Sequence, residues 1–202
     1  MSTILFRNIV LVLALTGFAC SASAEWILNN SESTIDFISI KKSAVGELHT
    51  FGSLGGSLKT SGDATIVISL DSVDTMIPIR DERMKSMLFD VITFPDAIVS
   101  TKIDYNRITN MKAGESIMQS LQLRLSLHGE VKSVQADMHI VMLAGDRLLV
   151  ATSKPIIVNA EDFSLGKGVE LLREIAKLPA ISSAVPVTVV LVFDKQEAKA
   201  QP

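Results

Sequence analysis

The chain has 202 residues, a formal net charge of −3 and a composition that is 48% hydrophobic but only 5% aromatic. This length is enough for one domain with a sizeable core. The near-balanced charge, without a basic stripe or clustered aromatic residues, argues against nucleic acid as a partner. The mean hydropathy is +0.37, although only one apolar segment resembles a membrane or signal sequence. This excess indicates strands that are apolar on both faces, as a domain with an internal apolar cavity requires.

The segment 1–24 has the pattern of a cleavable secretory signal. Arg7 precedes an apolar run from Ile9 to Cys20, and small residues follow up to Ala24. The run is roughly 12 residues long, whereas a bilayer-spanning helix needs about 20. There are two alternatives, a buried N-terminal helix and a lipidated Cys20. Lipidation is disfavoured because Gly17 stands where lipidation sites have a branched aliphatic residue. Cleavage after Ala24 would leave no cysteine and no membrane span, so the core must supply the stability.

The segment from Leu121 to His128 alternates four leucines with four polar residues. This period of two predicts a half-buried antiparallel strand. Six more segments have strand-like composition: Thr34 to Lys42, Ala64 to Asp71, Ala97 to Tyr105, Val134 to Leu143, Arg147 to Thr152 and Val185 to Phe193. Turns that contain glycine separate many of them. Many short strands at modest spacing indicate a β-barrel or a β-sandwich.

Two segments are instead predicted to be helical. Apolar residues recur at intervals of three and four between Arg80 and Phe89, and they form one face opposite charged residues between Val169 and Leu178. Pro179 ends the second helix. The last strand, Val185 to Phe193, is apolar at nearly every position. We therefore expect an outer helix on one of its faces and an apolar lumen on the other.

Residue types that perform catalysis or bind metals are sparse and scattered. The three histidines, His49, His128 and His139, do not stand at metal-ligand spacing from one another. His128 falls on the polar side of its predicted strand, which is typical of a surface or strand-end histidine. The glycine-rich segment 52–56 lacks the ending of a phosphate-binding loop and is typical of a strand bend. We therefore expect neither a metal ion nor a catalytic residue.

The densest charged cluster begins the first predicted helix and contains Arg80, Asp81, Glu82, Arg83 and Lys85. One interpretation is a solvated helix end, in which Asp81 suits the positive end of the helix dipole and pairs with Lys85 four residues later. The other is that Arg80 or Arg83 contacts the polar head of a ligand whose tail lies between the strands. The planar guanidinium suits phosphate or carbonyl oxygens. The sequence pattern alone leaves both interpretations open.

The charged cluster lies within an ordered set of short motifs that runs through most of the chain. These motifs are Ser72 to Thr75, Ile79 to Met84, Leu88 to Val91, Phe94-Pro95, Ser100, Leu125 to Lys132, Ala160 to Leu165 and Ala184 to Val187. The set resembles the YceI family of lipocalin-like polyisoprenoid-binding proteins, and its last part is similar to a periplasmic branch of that family. Many members have histidine where this chain has Arg83. An arginine there can replace the histidine as a hydrogen-bond donor.

This resemblance implies an all-β fold, a single antiparallel lipocalin-like barrel of about eight strands with two short α-helices. The barrel would span residues 25–194, between the signal segment and a polar tail at 195–202. It would enclose a long apolar tunnel that holds an isoprenoid quinone, a polyprenyl phosphate or a similar lipid. Such a protein needs no other cofactor. A homodimer is left open, because two-fold oligomers are common in general.

We therefore expect a non-catalytic periplasmic carrier of a long-chain isoprenoid or similar lipid. The residues expected on or near the tunnel are Phe37, Phe51, Leu123, Leu125, Phe163 and Phe193. Arg80 and Arg83 are expected at its mouth.

Two other functions are alternatives to the carrier. An enzyme acting on a lipid head group could use Asp81, Glu82 and His128, and it would need two of these groups within about 3 Å of each other. A stress-related structural or interaction module would have a filled interior and an exposed apolar patch.

Overall fold

The computed structural model describes residues 25–196. The predicted signal segment, residues 1–24, lies outside this range, as does the end of the polar tail. The strands are β1 (Glu25–Leu28), β2 (Thr34–Lys41), β3 (Val45–Phe51), β4 (Leu54–Leu58), β5 (Asp63–Ser69), β6 (Val73–Asp74), β7 (Asp96–Lys102), β8 (Ser116–Leu127), β9 (Glu130–Leu143), β10 (Arg147–Thr152), β11 (Ile156–Asn159) and β12 (Ala184–Gln196). The α-helices are α1 (Pro78–Arg83), α2 (Tyr105–Thr109) and α3 (Gly166–Ile175). A π-helical segment, Met84–Phe89, continues α1, and short 3-10 helices are Asn30–Glu32, Leu70–Ser72 and Ala160–Phe163.

The sheet closes on itself as an antiparallel barrel of eight strands, which confirms the predicted fold class. Closure occurs at β12, whose C-terminal half pairs with β10 on one side and with β1 on the other. From β1 the order continues through β4, β5, β7, β8 and β9 back to β10. A closed barrel leaves no unpaired strand edge around its wall.

Several barrel strands are interrupted once along their length. β1 and β2 lie one after the other along the same side of β12, and β3 and β4 lie one after the other along β2 and β1. The break between β3 and β4 falls at Gly52-Ser53, within the glycine-rich segment that the sequence predicts to be a bend. Because of these breaks the β2–β3 hairpin extends past one end of the closed barrel and is joined there by β6.

The β8–β9 hairpin has the longest ladder among the described pairs, and its turn consists of His128 and Gly129. Both residues have a positive φ, 50° and 80° respectively. Positive φ at both central positions matches the twist of antiparallel strands and favours glycine, here at the second position. The predicted strand therefore ends at Leu127, one residue before His128. The strand-end interpretation of this histidine agrees with its position.

Helices cover the two ends of the barrel. α3 packs on the π-helical segment and on the 3-10 helix Ala160–Phe163. At the other end α2 contributes Ile108, which is 0% exposed, to the apolar core. Within residues 25–196, none of the helices has the length and apolar character needed to cross a bilayer.

Three details of the predicted elements were wrong. The strand predicted for Ala97 to Tyr105 ends at Lys102, because Asp104 accepts a hydrogen bond from the Arg107 N–H and begins α2. Within residues 25–196, no α-helix covers the outer face of β12, where Thr188 and Val190 are exposed. β12 also continues to Gln196, past the predicted strand end at Phe193, because Lys195 and Gln196 pair with β1.

Candidate functional site

The barrel encloses an apolar cavity of about 270 Å³. Its wall consists of inward-facing side chains from both halves of the barrel, and Thr101 is the one polar residue among those that line it in the described chain. A cavity with such a wall gives no hydrogen bond to a polar ligand over most of its length. It favours a hydrocarbon chain, because burying apolar area stabilises by roughly 25 cal/mol per Å².

The alternation of side chains along the strands places leucine and valine in this wall. In β8 every second residue lines the cavity, from Leu121 to Leu127, as the period of two predicts. In β12 the lining residues run from Val185 to Phe193 in the same way. Of the intervening residues of β8, Gln122 and Arg124 are exposed and Ser126 is half-buried. The barrel is therefore apolar inside without being apolar outside on this strand.

The helices at one end contribute the remainder of the wall. Leu88 and Phe89 of the π-helical segment and Val169 of α3 line the cavity together with strand residues. α3 approaches the π-helical segment closely at Gly168, where a Cβ atom would lie 2.7 Å from the Met87 carbonyl oxygen. These two elements form a cover over the cavity, which we call the helical cover.

Five of the residues predicted on the tunnel line the cavity. They are Phe37, Phe51, Leu123, Leu125 and Phe193. Phe163 lies in the core on the 3-10 helix beside α3, is 1% exposed and is not part of the cavity wall. Arg80 and Arg83 lie on α1 and are also outside the wall. The binding role of each of these residues stays a prediction.

A polar cluster follows the cavity wall on the inner face of the β2–β3 hairpin. Directly paired residues of two strands share a face, and Phe37 pairs with His49 while Ser39 pairs with Glu47. Since Phe37 lines the cavity, all of these side chains point inward. The inner face thus changes from aromatic to polar along the hairpin, away from the barrel.

Glu47 joins this cluster to α1. Its carboxylate contacts the Lys41 ammonium and the Arg80 guanidinium, each at 2.5 Å. The hydrogen bond from Lys41 and the nearby Arg80 hold the pKa of Glu47 below its usual value, against the opposing effect of burial. Arg80 also donates to the Thr75 carbonyl oxygen, and Asp81 accepts from the N–H and the hydroxyl of Thr75. α1 is thereby fixed over the polar end of the hairpin.

His49 is deeply buried within the cluster, at 3% exposed. Its Nε2 lies 2.7 Å from the Ser39 hydroxyl, and its ring centroid is 5.1 Å from that of Phe37. Burial and the Arg80 charge lower the pKa of His49, so the ring is neutral near pH 7. Sequence reasoning did not select His49, although its alternation with Phe51 on β3 was a signal that it faces the lumen.

The residues of the enzyme alternative are engaged separately. Asp81 is bound by Thr75, Glu82 forms an ion pair with Lys85, and the His128 ring lies 4.5 Å from that of Phe94. No hydrogen bond joins any two of these three side chains in the described structure. Residues 25–196 also contain no group of three or more histidine, cysteine or carboxylate side chains placed to hold a metal ion.

A family profile for the YceI-like domain matches residues 26–193, nearly all of the described chain. The chain belongs to the YceI family. The resemblance identified from the ordered motifs is therefore confirmed. No curated protein sequence matches the chain.

Solved structures with the YceI fold include two that resemble this chain along most of its length. One is a polyisoprenoid binding domain from Saccharophagus degradans implicated in plant cell wall breakdown, with 34% sequence identity and a TM-score of 0.83. It covers 85% of this chain and 98% of its own. The other is BcnA from Burkholderia cenocepacia, with 14% identity, a TM-score of 0.61 and coverage of 82% and 98%. The second likeness supports the fold alone.

Proposed function

We propose that this YceI-family protein is a non-catalytic carrier of a long-chain isoprenoid or a similar lipid, which it holds in the barrel cavity. The observation that carries the proposal is a closed barrel whose cavity is lined by apolar side chains with a single polar exception. The similar domain from Saccharophagus degradans is described as polyisoprenoid binding, which supports the same ligand class. The separate engagement of Asp81, Glu82 and His128 favours a carrier over an enzyme.

The proposed site of action is the periplasm, reached through the signal at residues 1–24. A lipid chain is poorly soluble in an aqueous compartment, and a barrel with an apolar lumen would shield it from water. Mass spectrometry of the protein from its own cells tests this part. Cleavage after Ala24 and recovery in the periplasmic fraction are expected, whereas an intact N-terminus in the cytoplasmic fraction would contradict it.

The carrier proposal is tested by lipid extraction and by filling the cavity. Native mass spectrometry of the purified protein should show a bound lipid, and solvent extraction should release it. Ala97→Phe introduces a ring into the cavity wall at a residue that is 4% exposed. Because the added ring occupies the lumen, we expect the affinity for a C20 isoprenoid to fall at least tenfold, about 1.4 kcal/mol. Fluorescence displacement titration measures the change.

Ile98→Phe is the matched control. Ile98 follows Ala97 on β7, points outward and is 40% exposed, so the same ring there leaves the lumen unchanged. Its affinity should stay within twofold of the unmodified protein. A lipid-free protein that also rejects isoprenoids in titration would overturn the carrier proposal, as would equal losses of affinity in the two variants.

A further inference from the structure

Exposed large apolar side chains are concentrated at the end of the barrel that the helical cover closes. Several of them lie on α3 or in residues 76–92, which contain α1 and the π-helical segment. We call this set the apolar rim: Met76, Ile77, Ile79, Met87, Ile92, Leu171 and Ile175. At the opposite end the strands are connected by residues 59–62, 103–115 and 144–146. These connections contain none of the exposed large apolar residues of the described chain.

Met76 and Ile92 are the most exposed members of the apolar rim, at 84% and 95%. Side chains this exposed bury little apolar area, so they contribute little to the stability of the core. Both stand on turns whose backbone is held by hydrogen bonds. The Met76 N–H donates to the Asp74 carboxylate at 2.7 Å, and the Thr93 N–H donates to the Asp90 carbonyl oxygen at 2.9 Å. These turns therefore present two apolar side chains outward on a fixed backbone.

Only one layer of helix separates the apolar rim from the cavity. In the π-helical segment Met87 is exposed, whereas the next residue, Leu88, lines the cavity. On α3 Leu171 is exposed, whereas Val169 lines the cavity. The same two elements thus carry apolar side chains toward the lumen and toward the outside. A lipid that moves between the cavity and an apolar phase beyond the rim would cross this layer without entering bulk water.

The charges around the apolar rim balance. Residues 76–92 and α3 contain the basic Arg80, Arg83, Lys85, Lys167 and Arg173 and the acidic Asp81, Glu82, Asp90, Glu170 and Glu174. Such a surface has no net charge that would attract an acidic or a basic partner. Burial of apolar side chains is the attraction that remains. A protein partner would need a fitted pocket for each projecting side chain, whereas the fluid boundary between lipid head groups and acyl chains accepts them without one.

We propose that the apolar rim docks on the surface of a lipid bilayer, with Met76 and Ile92 inserted at the boundary between head groups and acyl chains. The helical cover then faces the membrane. This inference rests on the proposed carrier function and deepens it by naming the surface through which the lipid is exchanged. Because salt screens charges but does not weaken apolar burial, binding to uncharged vesicles should persist at about 1 M salt, where the Debye length is roughly 3 Å.

Flotation with phosphatidylcholine vesicles tests the docking. The unmodified protein should float with them, and Met76→Asp/Ile92→Asp, which places two charges at the inserting positions, should lower the vesicle affinity about tenfold or more. Neither residue lines the cavity, so the affinity of this variant for a C20 isoprenoid in solution should stay within about twofold of the unmodified protein. Its transfer of the same isoprenoid out of vesicles should slow about tenfold, in proportion to the lost docking.

Ile98→Asp/Met118→Asp is the matched control. It adds the same two charges at exposed apolar positions on the outer wall of the barrel, on β7 and β8, and it should float as the unmodified protein does. An unmodified protein that does not float overturns the docking, as do equal losses in the two double variants. Binding that requires phosphatidylglycerol and disappears at high salt overturns it as well, because charge would then be the attraction.

Two further measurements separate this inference from its neighbours. If light scattering shows that Met76→Asp/Ile92→Asp dissociates a homodimer, and flotation is unchanged, the apolar rim is a protein interface and the docking is overturned. A protein that floats through the rim but binds no isoprenoid would refute the carrier proposal and leave the docking in place. A protein that binds isoprenoid in solution but never floats would do the reverse.

Discussion

His49 combines deep burial with a titratable ring, and four charged side chains, Lys41, Glu47, Arg80 and Asp81, act on it. Burial is the largest cause that lowers its folded-state pKa below the ordinary value of 6.5. Between the folded and the unfolded pKa the unfolded chain binds more protons, so the free energy of unfolding falls as the pH falls below about 6.5. The slope can reach about 1.4 kcal/mol per pH unit. Urea unfolding between pH 7.5 and 5 should show this loss.

His49→Gln cannot titrate, so its free energy of unfolding should be nearly flat over the same range. His128 and His139 remain in this variant, so it differs from the unmodified protein only at residue 49. A variant that keeps the full pH slope would show that His49 is not its source. Glu47 cannot be confused with His49, because its lowered pKa confines its contribution to lower pH, where stability is lost as the carboxylate is protonated.

The site residues show how far the sequence could predict binding. Leu123 and Leu125 were predictable because a period of two in a single strand is visible without any partner. Phe163 was selected for its apolar ring, but hydrophobicity alone cannot distinguish a cavity wall from solid core. His49 was missed because residues 45–51 were not among the predicted strands, so its spacing of two residues from Phe51 was not interpreted as a shared strand face.

The contact between α3 and the π-helical segment depends on Gly168. A Cβ atom there would lie 2.7 Å from the Met87 carbonyl oxygen and 2.8 Å from the Leu88 Cα atom, both of which are backbone. Since backbone cannot rotate away, Gly168→Ala should force the helical cover apart. Overpacking of this kind typically costs about 1–3 kcal/mol of unfolding free energy. Denaturant unfolding at pH 7.5 measures the loss.

Gly166→Ala provides the comparison on the same helix. The atoms nearest to a Cβ atom at this position would be those of the Glu161 carboxylate group, the far end of a flexible side chain that can turn aside. We expect a change of less than about 0.5 kcal/mol, the range usual for surface substitutions. Equal destabilisation by the two alanines would mean that helix geometry, and not the close approach to Met87, limits the contact.

The elements were predictable to different degrees. Strand composition and turn residues were sufficient for the barrel, and the two amphipathic segments were recognised as helices. Their placement was not predictable, because an amphipathic pattern shows that one face is buried but not against which layer. This is why β12 was expected to have a helix outside, whereas α3 covers the barrel end and leaves Val190 exposed. The short helix α2 was missed because five residues carry too little periodicity to detect.

At the scale of the whole molecule, one cavity extends through the barrel that forms the core. Trp26, Ile108 and Phe163 pack at 1% exposure or less, while other members of the same cluster face the lumen. Residues 25–196 contain no cysteine, so no disulfide compensates for the missing interior contacts. Side chains that line an empty cavity lack van der Waals contacts on one side, and the attraction of those contacts is lost. A lipid in the lumen would therefore contribute to the stability of the fold as well as being its cargo.

If the lipid contributes to the stability of the fold, removing it should lower the free energy of unfolding. A ligand that binds the folded chain alone, at a hundred times its Kd, adds about 2.7 kcal/mol to the free energy of unfolding. For a chain of this size that corresponds to a rise in Tm of roughly 5–10 °C. Calorimetry of solvent-extracted and reloaded protein should show this difference in one cooperative transition. Ala97→Phe, with a ring in the lumen, should show no rise on loading, and an extracted protein that melts at the loaded temperature would contradict the dependence.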